Sequence, residues 1–210
     1  MLGTATLDAV YSLRRREIKN TVAYLYNRVG SPLNVGEQTH VKALLRWYSA
    51  NVYFIDTMLC DVNQDMVVGG TDTTSNTVEF AMAEMLNKPE VMRKSQQELD
   101  TVIGKTNTLE EPDIHKLPYL KAVFREVLRL HQVLPLMVPH CPSKSCIIGG
   151  YTIPKGARVF VNVWAIHKDP SIVKNPSDFD PGRFLNGEGD YSGNDFNYFP
   201  LGREEEFVQE

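Results

Sequence analysis

Two short segments carry residue types able to do acid–base chemistry. In Gly69-Gly70-Thr71-Asp72-Thr73-Thr74 an acid and an alcohol stand side by side. Such a pair can relay a proton to a bound ligand. Apolar residues around it recur at helical spacing and predict a helix over 66–86, with Val78, Ala81, Met82, Met85 and Leu86 on one face. Each glycine inside a helix costs about 1 kcal/mol relative to alanine. Two readings account for that cost. Either the helix starts here, with Asp72 or Thr73 as N-cap and the glycines before it, or it opens locally, by a kink or π-bulge, to admit a small ligand where glycine leaves room.

The second segment holds Glu126 and Arg129, three residues apart on a helix that Pro118 opens. Taken alone, such a pair is a surface ion pair worth roughly a few tenths of a kcal/mol. Arg183, in Phe179-Asp180-Pro181-Gly182-Arg183-Phe184, supplies a third charge that could close a buried network with it. His140, between Pro139 and Cys141, is a lone histidine and by itself reads as structural or surface. The three cysteines, Cys60, Cys141 and Cys146, form a sparse odd set that fits a reducing compartment. Cys141 and Cys146 have no second pair nearby, which argues against a zinc site.

These residues need elements to hold them. Leu7, Val10, Tyr11, Ile18, Val22 and Leu25 predict a helix over 7–27, which Gly30-Ser31-Pro32 stops. Residues 41–59 are apolar without clear periodicity. Pro89 opens a helix carrying Val91, Leu99, Val102 and Ile103, with Gly104 as its stop. The helix from Pro118 buries Leu120, Val123, Phe124, Val127 and Leu128. The period then changes to two: Ile147-Ile148, a Gly149-Gly150 turn, Tyr151-Thr152-Ile153, and an alternation through Val159, Val161 and Val163. The fold class is mainly α with a small β region. The formal net charge of −4 gives no general attraction to nucleic acid or to an anionic membrane. The basic run Arg14-Arg15-Arg16 is followed at once by Glu17 and reads as a solvated helix face. The sequence contains no apolar run of membrane-spanning length, no signal-peptide pattern and no internal repeat.

The motifs in combination are far more specific than any one of them. The Gly-Gly-x-acid-Thr-Thr helix, Glu-x-x-Arg, Gly150-Tyr151-Thr152-Ile153-Pro154-Lys155-Gly156 and Phe-Asp-Pro-x-Arg-Phe occur in this order and spacing. Together they resemble the cytochrome P-450 superfamily, in the wording of plant microsomal terpenoid and flavonoid hydroxylases. The resemblance implies an incomplete fold of that family. It also implies a monooxygenase that hydroxylates a small lipophilic plant metabolite with O2 and electrons from an NADPH–cytochrome reductase. Haem b would be held by a cysteine thiolate, whose electron donation favours O–O cleavage. By the same resemblance Asp72 and Thr73 are the catalytic acid–alcohol pair, and Gly69 and Gly70 leave room beside the haem. His140 meets a haem propionate. Glu126, Arg129 and Arg183 form a structural triad. Val133, Leu134, Leu136, Met137 and Val138 line the substrate pocket. No nucleic-acid partner is implied. The family sits on the endoplasmic reticulum membrane; with its anchor absent here, this chain is expected in the cytosol.

The sequence departs from the family in three places. Residues 1–38 resemble a remnant of the early helices, without the segment that supplies further propionate partners. Residues 46–64 interrupt what should be one helix and read as a non-family insertion. Residues 65–202 follow the family closely, but residues 203–210 are an aberrant tail. There the family continues x-Gly-Arg-Arg-x-Cys-x-Gly, whereas this chain reads Arg203 and then Glu204-Glu205-Glu206-Phe207-Val208-Gln209-Glu210. Val208 occupies the expected cysteine position, so no metal ligand is assigned. The seven residues can be encoded GAA GAA GAA TTT GTG CAG GA, with the last base open. Read one base earlier behind an added G, the same bases become GGA AGA AGA ATT TGT GCA GGA, which encodes Gly-Arg-Arg-Ile-Cys-Ala-Gly. A one-base frame change near Arg203 is therefore expected. The chain as written is expected to be inactive and to bind no haem in the family's manner. Its alternative reading is a non-catalytic remnant.

Overall fold

The computed structural model describes residues 11–34, 61–185 and 195–200, the side chains of residues 13, 14 and 61–71 excepted. The expected insertion up to Cys60 and the tail from Leu201, including Val208, lie outside the described residues. The chain divides into two compact units: Met1–Ala83 with Thr106–Ile114, and Glu84–Lys105 with His115–Glu210.

In the first unit, helix α1 spans Tyr11–Tyr26 and ends where Gly30 takes a φ of +87°, as the Gly-Ser-Pro stop predicts. Its N-terminal turn is tied to a distant loop: the Tyr11 hydroxyl donates to Glu110 Oε2 at 3.2 Å and Arg15 Nε donates to Glu110 Oε1 at 2.8 Å. Helix α2 spans Asp61–Asn87 and continues into the second unit at Glu84. It starts earlier than the apolar period suggests, so the last residues of the expected insertion, from Asp61, are already helical. Ser75, Ala81 and Met85 are its buried residues. Leu86 is exposed, one position off that line, and leaves the expected face.

The second unit is built around helix α4. Helix α3, Pro89–Val102, starts with proline at its first turn and stops at Gly104, whose φ is +87°. Helix α4, Pro118–Leu130, buries Ala122, Val123, Glu126, Val127, Leu128, Arg129 and Leu130. Neither helix has a side-chain cap from its own N-cap residue. For α4, Glu98 of α3 does the work instead: its two carboxylate oxygens accept from the backbone N–H groups of Tyr119 and Leu120 at 2.7 and 2.8 Å. A carboxylate at this end also meets the positive end of the helix dipole.

Strands β1 (Cys146–Ile148) and β2 (Tyr151–Ile153) pair antiparallel, with Cys146 opposite Ile153, around the expected Gly149-Gly150 turn. The alternation through Val159, Val161 and Val163 does not make a third strand. Val159 forms only a bridge to His140, and Val163–His167 is a short helix, α5. Asn162 explains the switch, because its side chain accepts from the Ala165 N–H at 3.0 Å and caps that helix. A 3-10 turn at Pro181–Phe184 packs on α4, capped by Asp180, whose side chain accepts from the Gly182 N–H. Phe184 and Tyr198 close against Ala122 in a small apolar cluster. The fold is mainly α with one small sheet.

Candidate functional site

The acid–alcohol segment lies inside α2. The helix starts at Asp61, so Asp72 and Thr73 are interior residues and not N-caps. The backbone is α-helical through Gly69 and Gly70, with no π turn. Asp72 and Thr73 are each half-buried. The Thr73 carbonyl accepts an extra hydrogen bond from Thr77 Oγ1 at 2.7 Å. Back-bonding of this kind competes with the helical N–H for the same oxygen and favours a slight bend. Helix α2 therefore sets the acid and the alcohol in sequence on one turn of unbroken helix, with the back-bond on the Thr73 carbonyl.

The charged triad closes, and it closes in the interior. Glu126 and Arg129 are 0 % and 2 % exposed. Arg129 grips the carboxylate with two nitrogens, Nε to Oε2 at 2.7 Å and Nη2 to Oε1 at 2.8 Å. Arg183 Nε reaches Oε1 at 3.3 Å, and the Asp180 N–H donates to the same oxygen at 2.9 Å. The rest of the Arg129 guanidinium is used up by carbonyls: Nη1 donates to those of His167 at 2.9 Å and Pro176 at 2.8 Å, and Nη2 to that of Asp178 at 3.1 Å. Arg183 in turn donates to the carbonyls of Lys174 and Asn175. One carboxylate and two guanidiniums thus gather α4, the end of α5, the 174–178 loop and the 3-10 turn. Pairwise spacing on a helix suggests a surface pair; the loop that follows α5 covers it.

His140 is half-buried and exchanges both backbone hydrogen bonds with Val159, at 2.8 and 2.9 Å. The bridge holds its main chain beside the segment that leads to α5. The pocket candidates form an irregular loop after α4. Leu134, Leu136 and Val138 are exposed, while Val133 and Met137 are half-buried. Met137 adopts a φ of +55°, a left-handed conformation uncommon for a side chain of its size. The Pro135 carbonyl accepts from the Trp164 N–H, which fastens the loop to α5. Three residues that the sequence reading passes over matter here. Glu98 caps α4, Glu84 pairs with His131 Nε2 at 2.8 Å just past the end of α4, and His167 lies fully buried beside Arg129. None has a sequence signature, since each acts through a partner far away in the chain. Among the described residues no group of three or more His, Cys, Asp or Glu could hold a metal ion, and no helix is long and apolar enough to cross a membrane.

Comparison with known proteins gives a consistent result. The family model for cytochrome P450 matches residues 15–203. Cytochrome P450 71A1 of Persea americana is 49% identical over 138 residues, and geraniol 8-hydroxylase of Swertia mussotii is 48% identical over 138 residues. Each match covers 66% of this chain and 28% of the relative, so the chain spans less than a third of their length. A solved zebrafish cytochrome P450, determined with abiraterone, superposes with a TM-score of 0.61 at 24% identity, over 90% of this chain and 50% of that one. At that identity the likeness speaks for the fold alone.

Proposed function

The chain belongs to the cytochrome P450 family, and on that premise we propose that it represents part of a haem-dependent monooxygenase that hydroxylates a small lipophilic plant metabolite. The observation that carries this reading is the triad. A carboxylate and two guanidiniums spread over 57 positions of sequence meet in one buried cluster, inside the stretch that the family model matches. The similarity to a geraniol hydroxylase supports a terpenoid-like substrate. In this reading Asp72 and Thr73 hold and pass a proton on the distal helix, and Gly69 and Gly70 keep side chains out of the ligand's way. His140 faces a propionate, and the 133–138 loop borders the substrate. Electrons come from an NADPH–cytochrome reductase, and the parent enzyme works at the endoplasmic reticulum membrane.

Haem, when bound by a thiolate, supplies the oxygen-activating chemistry of the family. The donor set of this chain does not fit it. Valine at 208 has no lone pair to give iron, and Glu205 and Glu206 bring negative charge where the resembled motif carries two arginines, with Glu204 in place of its glycine. Of the cysteines, Cys141 is exposed in the loop after His140 and Cys146 stands opposite Ile153 in the hairpin. Neither belongs to the segment that carries the ligand in the family. A second reading follows: the chain as written is a non-catalytic remnant of such an enzyme. The end of the family match at Arg203, where the frame change is expected, supports it.

One spectrum separates the two. The purified chain is mixed with haem, reduced and exposed to carbon monoxide. A strongly red-shifted Soret band, the mark of thiolate ligation, would overturn the remnant reading. Its absence, together with its appearance when residues 203–210 are encoded in the shifted frame, is the expected result.

A further inference from the structure

His167 is the buried ionisable group that the proposed chemistry leaves unused. It is 0 % exposed, at the end of α5. Its carbonyl accepts from Arg129, and its ring touches the other side of the unit. Nε2 faces the backbone N–H of Phe199 at 3.3 Å, and Nδ1 faces the amide nitrogen of Gln132 at 3.2 Å. The ring stacks on Tyr198, with centroids 5.5 Å apart and planes 20° apart, and meets Phe199 edge-on at 6.2 Å.

The partners decide the protonation state. A backbone N–H cannot be turned round, so Nε2 must be the bare nitrogen that accepts from Phe199. The single ring proton then sits on Nδ1. Gln132 is the partner that has to shift: its amide nitrogen also donates to the Arg129 carbonyl, so a half-turn of the amide would set oxygen against oxygen there, and the side chain moves aside from Nδ1 instead. An imidazolium would set N–H against N–H at Phe199 and break that contact. Burial favours a neutral ring, and so does the Arg129 guanidinium nearby; a hydrogen bond with the Arg129 backbone and the charge of Asp195 act in the opposite sense and are outweighed.

We propose that His167 is a positioning residue: as a neutral acceptor it pins the Phe199 backbone, and so couples the triad to the segment that enters residues 201–210. Arg129 holds the His167 main chain, and the His167 ring holds the Phe199 main chain. The run from Tyr198 to Pro200 is thereby anchored to the triad through one side chain. That this segment leads to a haem-binding loop rests on the reading proposed above; the anchor itself does not.

The test uses the isotope-labelled chain, with nitrogen spectra of the imidazole and hydrogen exchange of the Phe199 amide. The parent should show the Nδ1–H tautomer and a protected Phe199 amide. H167F keeps the ring and its stacking but lacks the acceptor. It should speed Phe199 exchange by about tenfold, the effect of one lost hydrogen bond, while the amides of Val127 and Leu128 hold their rates within about twofold. H167Q, whose amide oxygen can accept, should restore protection. An unprotected Phe199 in the parent, an Nε2–H tautomer, or equal exchange in H167F and H167Q overturns the proposal. Were H167F to unfold, the parent tautomer and the H167Q rates still decide it. A V208C chain separates this from the functional reading. Thiolate-type haem spectra with Phe199 unprotected leave that reading standing and remove this one; protection without such spectra does the reverse.

Discussion

Removing the Glu126 carboxylate should be among the most damaging single changes available in the second unit. The carboxylate accepts from Arg129 Nε and Nη2, Arg183 Nε and the Asp180 N–H. It is fully buried, so no water stands ready to replace it. In Glu126→Ala the Arg129 guanidinium keeps its three carbonyl partners but loses the only negative charge the described residues show bonded to it. Breaking a buried pair by deleting one partner costs about 3–5 kcal/mol, because the other charge stays buried and uncompensated. The stranded Asp180 N–H adds to this, at roughly 1–3 kcal/mol if it stays dry. Domains of this kind have only about 5–15 kcal/mol in all. The assay is urea unfolding followed by helical circular dichroism. At a slope of about 1–3 kcal/mol per molar urea, a loss of about 3–5 kcal/mol lowers the midpoint by about 1–5 M. Lys121→Ala, on the exposed side of the same helix, is the control and should stay within about 0.5 kcal/mol of the parent. A Glu126→Ala midpoint that matches the control would mean the triad contributes nothing to this unit, and the account of its burial would be wrong.

Glu98→Ala removes the carboxylate that caps α4 and should cost about 1–2 kcal/mol by the same assay, with Glu98→Gln in between, since an amide offers one accepting oxygen and no charge. Acid should weaken the second unit through His167. Burial first, and Arg129 second, push its pKa down to about 4 from an ordinary 6.5. The folded state therefore binds fewer protons than the unfolded one between those values, and stability falls as the pH is lowered through that window. The contribution is complete above about 6.5 and lost as pH drops through about 4, on the order of 3 kcal/mol in all. The difference in urea midpoint between the parent and H167F across this range isolates it, and a difference that does not change with pH would contradict the sign. Thr77→Val should leave overall stability within about 1 kcal/mol of the parent. It should still shift the amide signals around Thr73, because the extra bond to that carbonyl is lost; unchanged signals would mean the back-bond is not made in solution.

Much of the fold is legible in the sequence because the signals are local. Pro89 and Pro118 open their helices, Gly104 and Gly30 end theirs in left-handed turns, and Gly149-Gly150 makes the hairpin. Each of these acts through its own backbone and needs no distant partner. The failures are of a different kind. Val159, Val161 and Val163 alternate as a strand should, yet Asn162 caps a helix from the middle of that alternation. That cap is a side-chain hydrogen bond, and apolar period two cannot see it. The helical turns of α2 from Asp61 to Asp65 are likewise invisible to apolar spacing. Leu86 leaves the expected face because the buried positions 81 and 85 already define a line that it does not share.

The site divides along the same boundary between local and distant. Glu126 and Arg129 are adjacent on one helix, so their pairing is readable, but their burial is not. It depends on carbonyls contributed by His167, Pro176 and Asp178, which no pattern within α4 announces. Arg183 hints at it only once the Phe-Asp-Pro-x-Arg-Phe segment is set beside the helix pair. His167 carries no hint at all, since a single histidine before Lys168 and Asp169 looks like any surface residue. Every hydrogen bond described for the triad joins residues between 126 and 183. The group that would bind iron and the group that braces the unit are therefore separate in the chain. On the proposed reading, a frame change near Arg203 would remove the first and leave the donors and acceptors of the second, all between residues 126 and 183, unchanged in sequence. Such a chain would lose that chemistry while keeping the residues of the buried network.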